Sequence, residues 1–230
     1  MQRVLGMFAK RPEAGAVKSR LAAVIGPEWA ARLYGAFLRD LVARLATMRA
    51  NRVIAYAPAD AHAYFTDLAA GQFRLVVQAP GSLGDRMAGF FSGSFQSGAE
   101  RVVLIGSDSP DLPLGNVSRA FEELADHDVV LGPSDDGGYY LIGMRRMIPE
   151  VFQDIRWSTS NVRTETIERL RGLGIAHALL EAWYDVDVVD DLERLSHGID
   201  AARRIGTDRM LEHTAAALDA IRQTGLWSHE

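Results

Sequence analysis

Cysteine is absent from this chain, and lysine is nearly so: of 25 basic residues in 230, only Lys10 and Lys18 are lysine and the rest are arginine. The first absence excludes disulfides and thiolate-bound metals, and it predicts a reducing, cytoplasmic setting. Long apolar runs are also missing. None approaches the ~20 residues needed to cross a bilayer, and the apolar part of the opening MQRVLGMFAK is too short for a secretory leader, so membrane insertion is not expected. There is no run rich in Lys and Arg, and the formal net charge is −5. A general nucleic-acid binder, which needs many phosphate contacts, is therefore not expected. A small anion held by a few local cations stays open. What is present, 48% hydrophobic and 24% charged residues, is enough to build a folded core.

Short apolar runs alternate with helical patterns. Arg3–Ala9 (RVLGMFA), Arg52–Tyr56, Arg74–Val77, Arg101–Gly106 and Asp128–Gly132 read as buried strands. Between the first two, Pro27–Met48 carries Trp29, Leu33, Phe37, Leu41 and Leu45 at every fourth position, which predicts one buried helix face. Alternation of this kind implies βαβ units, a mainly parallel sheet with helices on both faces, and ligands beyond the carboxyl ends of the strands. After Gly132 the turn signal SDDGG predicts that Tyr139–Gly143 returns antiparallel, which makes the sheet mixed. A helix over Val162–Leu173, a strand near Ala176–Leu180 and helices after Asp190 and Thr207 complete the chain. With no repeat or linker, a single domain is expected.

Four loops carry residues suited to chemistry. In AKRPEAGAVKSRL (Ala9–Leu21), Gly15 permits a tight turn, the following helix directs N–H groups at an anion, and Lys10, Lys18 and Arg20 surround it. Lysine is a compact point charge that binds phosphate without arginine's planar fork; the alternative is a solvated basic loop. The spacing is neither a Walker loop nor GxGxxG. In GSDSPDLP (Gly106–Pro113), the hard oxygens of Asp108 and Asp111 suit Mg²⁺ or Mn²⁺. Alternatively one of them caps the helix that Pro113 starts. Capping accounts for one acid better than for two, which favours a metal or ligand role for Asp108.

GPSDDGGYYLIG (Gly132–Gly143) is explained by a hairpin turn, but Gly137 and Gly138 also let backbone approach a sugar or phosphate, and Asp135 or Asp136 can orient or deprotonate a hydroxyl. WYDVDVVDDL (Trp183–Leu192) places Asp185 and Asp187 on one face of an extended run, where either completes a divalent site, while Asp190 and Asp191 start a helix. Gly84, Asp85 and Arg86 in GSLGDRM read as a helix cap, with a base or ribose contact as the alternative. In RWSTSNV, Ser158 and Thr159 read as N-caps, and Trp157 either packs in the core or lines a pocket. The six histidines show no metal-ligand spacing, and Ser107 lacks the GxSxG setting of a hydrolase.

Taken in order, FAKRPEAGAVKSRL, GSLGDRM, IGSDSPDLP, GPSDDGGYYLIG, IRWSTSNV and WYDVDVVDDL, from Met7 to Leu195, resemble the motifs of the nucleotide-diphospho-sugar transferase superfamily, in particular its bacterial glycosyltransferase-like branch. The first motif is also similar to that of phospholactate guanylyltransferases, in which a lysine precedes a Lys-Ser/Thr-Arg-Leu segment; here these are Lys10 and Lys18–Leu21. The resemblance implies a GT-A, Rossmann-like three-layer α/β fold over residues 1–230, with 196–230 as a C-terminal helical extension. It further implies that Lys10, Gly15, Lys18, Arg20, Gly84, Arg86 and Asp108 hold a nucleotide, and that Asp108 and Asp187 bind Mg²⁺ or Mn²⁺. Lys18 with Asp135 and Asp136 would be catalytic, and Gly137, Gly138 and Trp157 would face an acceptor.

One departure separates the chemistries: glycosyltransferases of this fold often carry Asp-x-Asp, whereas this chain has DSPD, which is more like nucleotidyltransferases, and a separate DVD. The expected activity is Mg²⁺-dependent transfer of a sugar from a nucleoside-diphosphate sugar to a small acceptor. Nucleotidyl transfer from an NTP to a phosphorylated small molecule, releasing pyrophosphate, is the second reading. A non-catalytic nucleotide-binding regulator is the third. The C-terminal pattern of Met210, Leu211, Leu218, Ile221 and Leu226 is expected to pack within the chain, with a homodimer contact as the alternative.

Overall fold

The computed structural model describes residues 2–206 and 211–227, so Met210 and the stretch from Thr207 that were counted into the last helical pattern lie outside the described residues. Seven strands form one sheet: β1 (Arg3–Lys10), β2 (Asn51–Ala57), β3 (Arg74–Val77), β4 (Arg101–Ile105), β5 (Val129–Pro133), β6 (Tyr139–Met144) and β7 (His177–Leu179). Their order across the sheet is β3-β2-β1-β4-β6-β5-β7. Every pairing is parallel except those of β6, which lies antiparallel between β4 and β5. The expected mixed, mainly parallel sheet is thus observed. Its cause is local: the Ser134–Gly138 turn is too short for a crossover and can only fold the chain back as a hairpin.

Side chains alternate along the strands between two cores. Leu5, Met7 and Ala9 of β1 face one core, with Val103 and Ile105 of β4, whereas Val4, Val102 and Leu104 face the other. The first core is covered by α1 (Ser19–Ile25), α2 (Pro27–Leu45), α3 (His62–Ala69), α5 (Leu114–Glu123), α7 (Val189–Arg204) and α8 (Glu212–Thr224). The second is covered by α4 (Leu83–Gln96) and α6 (Val162–Gly172). These are the three layers expected of the fold.

Helix α2 follows the predicted stripe. Leu33, Phe37, Leu41 and Leu45 are all buried, each stabilising the fold by roughly 1.5–3 kcal/mol. On the same helix, buried Asp40 accepts hydrogen bonds from the backbone N–H groups of His213 (3.1 Å) and Thr214 (2.7 Å), which fixes the start of α8. Position 196 falls inside α7, whose Leu192, Leu195 and Ile199 join the core.

Because β1, β4 and β5 are co-directional and β6 begins where β5 ends, Lys10, Ile105, Pro133 and Tyr139 all lie at one edge of the sheet. The loops that leave this edge therefore meet.

Candidate active site

All four motif loops contribute to one cleft of about 920 Å³ at the carboxyl edge of the sheet. Its centre is Lys18. This residue precedes α1 in the left-handed backbone conformation (φ 49°, ψ 45°), which costs a non-glycine residue of order 1–2 kcal/mol. That backbone carries the side chain inward, where it is 2% exposed. The ammonium lies 5.9 Å from the ring centres of both Tyr34 and Phe37. It ends in ion pairs with Asp108 and with Asp187, the latter at 2.9 Å. Burial alone would lower the lysine's pKa; attraction by Asp108 and Asp187 outweighs it and holds the ammonium above its ordinary value.

The two carboxylates come from loops far apart in sequence, held together by the Val186 N–H, which donates to the Asp108 carbonyl at 2.9 Å. The WYDVD run lies along the end of β5: Trp183 N–H donates to the Pro133 carbonyl (3.0 Å), and Asp135 N–H to the Trp183 carbonyl (3.1 Å). As its period predicts, Asp185 and Asp187 both face the cleft. Asp185 sits deeper and accepts a hydrogen bond from Ser109 at 2.6 Å. Burial, reinforced by the charge of Asp108, pushes its carboxyl up to about 7.

Around this cluster, Lys10, Arg20 and Arg86 line the cleft. Arg86 donates to the Gly81 carbonyl at 3.1 Å. Among the described residues neither Lys10 nor Arg20 has an ion-pair partner, so both are available to an anion. The opposite wall is less charged, made by Tyr139, Trp157, Ser158, Gly138 and Asp136. Asp136 accepts from the Ser134 hydroxyl and from the Gly138 N–H (2.9 Å), which fixes its orientation.

Other candidates are placed elsewhere. Asp135 is outside the cleft lining and pairs with Arg194 at 3.0 Å. Gly137 has φ +91°, and a Cβ there would lie 2.0 Å from the Ser160 carbonyl oxygen, so the residue is required by backbone packing. Gly84 is also outside the lining; a Cβ on it would meet the Trp157 indole nitrogen at 2.7 Å, so it makes room for Trp157. Gly15 (φ +79°) forms the expected tight turn without lining the cleft. Asp111 accepts from Trp183 Nε1 (3.2 Å) and the Tyr184 hydroxyl (2.5 Å), which uses both its oxygens inside the protein. Neither Asp108 nor Asp111 caps α5, which begins after Pro113 without a side-chain cap.

Capping elsewhere follows the sequence in part. Asp85 and Ser82 form a reciprocal cap on α4, and Asp191 accepts from the N–H groups of Asp187 (3.0 Å) and Val188 (2.9 Å). Neither Ser158 nor Thr159 caps α6: its first flanking residue is Asn161, because the Arg156–Asn161 turn is longer than the motif suggests.

Two supporting residues escaped the sequence reading. Tyr34, whose phenol burial pushes up to about 12, shares a 2.7 Å hydrogen bond with Ser107 and accepts from Lys10 N–H at 3.1 Å. Arg44, buried on α2, donates to the carbonyls of Pro110 and, at 2.7 Å, Leu112, and so braces the Asp108 loop. The only available signal was a polar group at a helical position otherwise reserved for the core.

The donor set suits a hard divalent cation. Among the described residues no three acidic or histidine side chains group into a metal cage. Asp108 and Asp187 instead provide two carboxylates directed at one cation, the number Mg²⁺ or Mn²⁺ takes when phosphates and water complete its shell.

No curated protein matches this chain. The profile of a family described as an uncharacterized protein conserved in bacteria, DUF2064, matches residues 41–159. The crystal structure of a provisionally assigned nucleotide-diphospho-sugar transferase from Desulfovibrio desulfuricans G20 is 38% identical, covers 97% of this chain and 98% of its own, and superposes with a TM-score of 0.85. A cytidylyltransferase from Leptospira borgpetersenii (10% identity, 98% and 95% covered, TM-score 0.58) shares the fold alone. So does CMP:2-keto-3-deoxy-manno-octonic acid synthetase in complex with CTP (15% identity, 88% and 100% covered, TM-score 0.53). The fold is thus one used by nucleotide-utilising transferases, and the chain belongs to the DUF2064 family within the nucleotide-diphospho-sugar transferase superfamily.

Proposed function

We propose that this protein is a divalent-metal-dependent transferase that moves a sugar from a nucleoside-diphosphate sugar to a small acceptor. The observation that carries this reading is the meeting of Lys18, Asp108 and Asp187 in a cleft also lined by Lys10 and Arg20, which have no ion-pair partner among the described residues. The description of the Desulfovibrio relative supports it.

Lys10, Arg20 and Arg86 face the donor's diphosphate and neutralise the charge that grows on it as the nucleoside diphosphate departs. Asp108 and Asp187 hold Mg²⁺ or Mn²⁺, which when bound supplies further stabilisation of that charge. On the opposite wall, Asp136 receives the proton of the acceptor hydroxyl, with Ser134 and the Gly138 N–H holding the carboxylate in place. Trp157 and Gly138 border the acceptor.

A second reading, nucleotidyl transfer from an NTP, is favoured by the split origin of the carboxylates. Asp111 is consumed by Trp183 and Tyr184, so the DSPD loop contributes a single acid, with a lysine between it and Asp187. Here Lys18 would stabilise charge on the transferring phosphorus.

Incubation of the protein and Mg²⁺ with nucleotide sugars or NTPs and a panel of small hydroxylated and phosphorylated acceptors separates the readings. Release of a nucleoside diphosphate from a sugar donor supports glycosyl transfer, and pyrophosphate from an NTP supports nucleotidyl transfer. Saturable binding with neither product leaves a regulatory binder. If no nucleotide raises the melting temperature with or without Mg²⁺, the nucleotide reading fails.

A further inference from the structure

The ammonium of Lys18 stands between Asp108 and Asp187, where a divalent cation held by these two carboxylates would also stand. It is nearly excluded from solvent, whereas each carboxylate is 44% exposed. The acids are thus open to the cleft, while the lysine, although it lines the cleft, is nearly closed to water. Lys10, on the same loop, is exposed and free of ion pairs among the described residues.

We infer that Lys18 is a built-in placeholder cation: it occupies the two-carboxylate site until a divalent metal displaces it, and the released ammonium then turns to the phosphates of the incoming nucleotide. This rests on the nucleotide reading of the cleft and assigns its order of assembly.

The charges explain why the exchange couples two ligands. Two carboxylates and one ammonium leave a local charge of about −1, and a divalent ion in place of the ammonium brings it to about zero. The displaced ammonium then loses both of its ion-pair partners and remains within reach of the cleft, with Asp185 the remaining acid near it. A metal arriving alone must break two ion pairs with no phosphate to receive the lysine. A nucleotide arriving alone meets a lysine already neutralised. Together each supplies what the other lacks, so each strengthens the other's binding, by the same factor in both directions. The left-handed backbone at Lys18, sparsely populated for a non-glycine residue, is held by its surroundings and sets the side chain between the two carboxylates.

The scarcity of lysine makes the exchange measurable, because Lys10 and Lys18 are the only side-chain amines. The intact protein is acylated with a water-soluble amine reagent, and peptide mass spectrometry reads each lysine separately. Without metal, Lys10 is modified quickly and Lys18 slowly. Mn²⁺ at a concentration that saturates the site is expected to accelerate modification of Lys18 by about 5-fold or more, the lower end of the usual span of coupling between two competing occupants, with Lys10 unchanged as the internal reference. Adding UDP-glucose or an NTP with Mn²⁺ should protect both.

Mn²⁺ binding, followed by electron paramagnetic resonance, gives the second readout. Lys18→Met should bind Mn²⁺ alone more tightly than wild type by a factor in the same range, while Lys10→Met should not. If Mn²⁺ binds and Lys18 modification does not change, or if both lysine variants shift Mn²⁺ affinity equally, the exchange is overturned. Failure of Mn²⁺ to bind overturns it as well. If Mn²⁺ releases Lys18 but no NTP or nucleotide sugar protects it, the exchange stands and the nucleotide reading falls.

Discussion

Two groups of aspartates stand at the same edge of the sheet and differ in what satisfies them. Asp108 and Asp187 converge on one buried ammonium and keep nearly half their surface open to the cleft. Asp135 and Asp136, in the hairpin turn, have fixed partners, the first Arg194 of α7 and the second Ser134 and the Gly138 N–H of the turn itself. The difference teaches that a carboxylate whose partner is exchangeable can take up a cation, whereas fixed partners hold a carboxylate in one orientation, Asp136 within the cleft lining and Asp135 outside it.

The largest effect that would break this comparison is on turnover. Asp108→Asn or Asp187→Asn should lower kcat by about 10²–10³-fold, the scale set by removing one electrostatic stabiliser, and abolish the metal-dependent rise in melting temperature. Asp135→Asn should leave turnover near wild type. A large loss in Asp135→Asn with retained folding would put Asp135 into the chemistry and erase its distinction from Asp108 and Asp187.

Next in size is the turn itself. Gly137→Ala forces a side chain onto the Ser160 carbonyl and into a strained backbone, so a loss of about 1–3 kcal/mol in urea unfolding is expected. A neutral result would mean that the turn relaxes freely and that Asp136 is not held as firmly as its hydrogen bonds imply.

A further acid, outside the cleft lining, extends the contrast through pH. Asp128 is bonded to Arg145 and Arg146, and the Arg146 hydrogen bond in particular holds its carboxyl below the ordinary range. With the folded value under the unfolded one, its stabilisation is complete above about pH 4 and is lost as pH falls through the folded value. The stability gap between wild type and Asp128→Asn, read from urea midpoints, should therefore close on acidification below about pH 4. A gap independent of pH would show that the pair contributes through packing.

The smallest effect belongs to Arg194→Met. The Arg194–Asp135 pair is more than half exposed on both sides, so its loss should change stability by roughly 0–1 kcal/mol. A larger loss would point to the Arg194 guanidinium, 3.8 Å above the Tyr184 ring, as the group that matters.

Much of the frame was legible because its signals are local. Apolar runs marked the strands, the fourfold stripe marked α2, and SDDGG marked the reversal that makes β6 antiparallel. The unusual placing of both lysines marked the cleft. What stayed hidden depends on partners distant in sequence. Asp111 reads like Asp108 until Trp183 and Tyr184, more than 70 residues on, claim its oxygens. Gly84 and Gly137 read as ligand-approach glycines until Trp157 and Ser160 are seen against them. Asp185 and Asp187 differ by two positions and by depth, and depth is not written in an alternating pattern.

Asp40 and Arg44 are one helical turn apart on α2, and they face opposite clients. One grips the first N–H groups of α8; the other grips the carbonyls behind the Asp108 loop. A single rigid strut therefore shares its footing between the far end of the chain and the acid that faces the cleft. Strain introduced where α8 docks has a short mechanical route to Asp108, although α8 contributes no wall to the cleft.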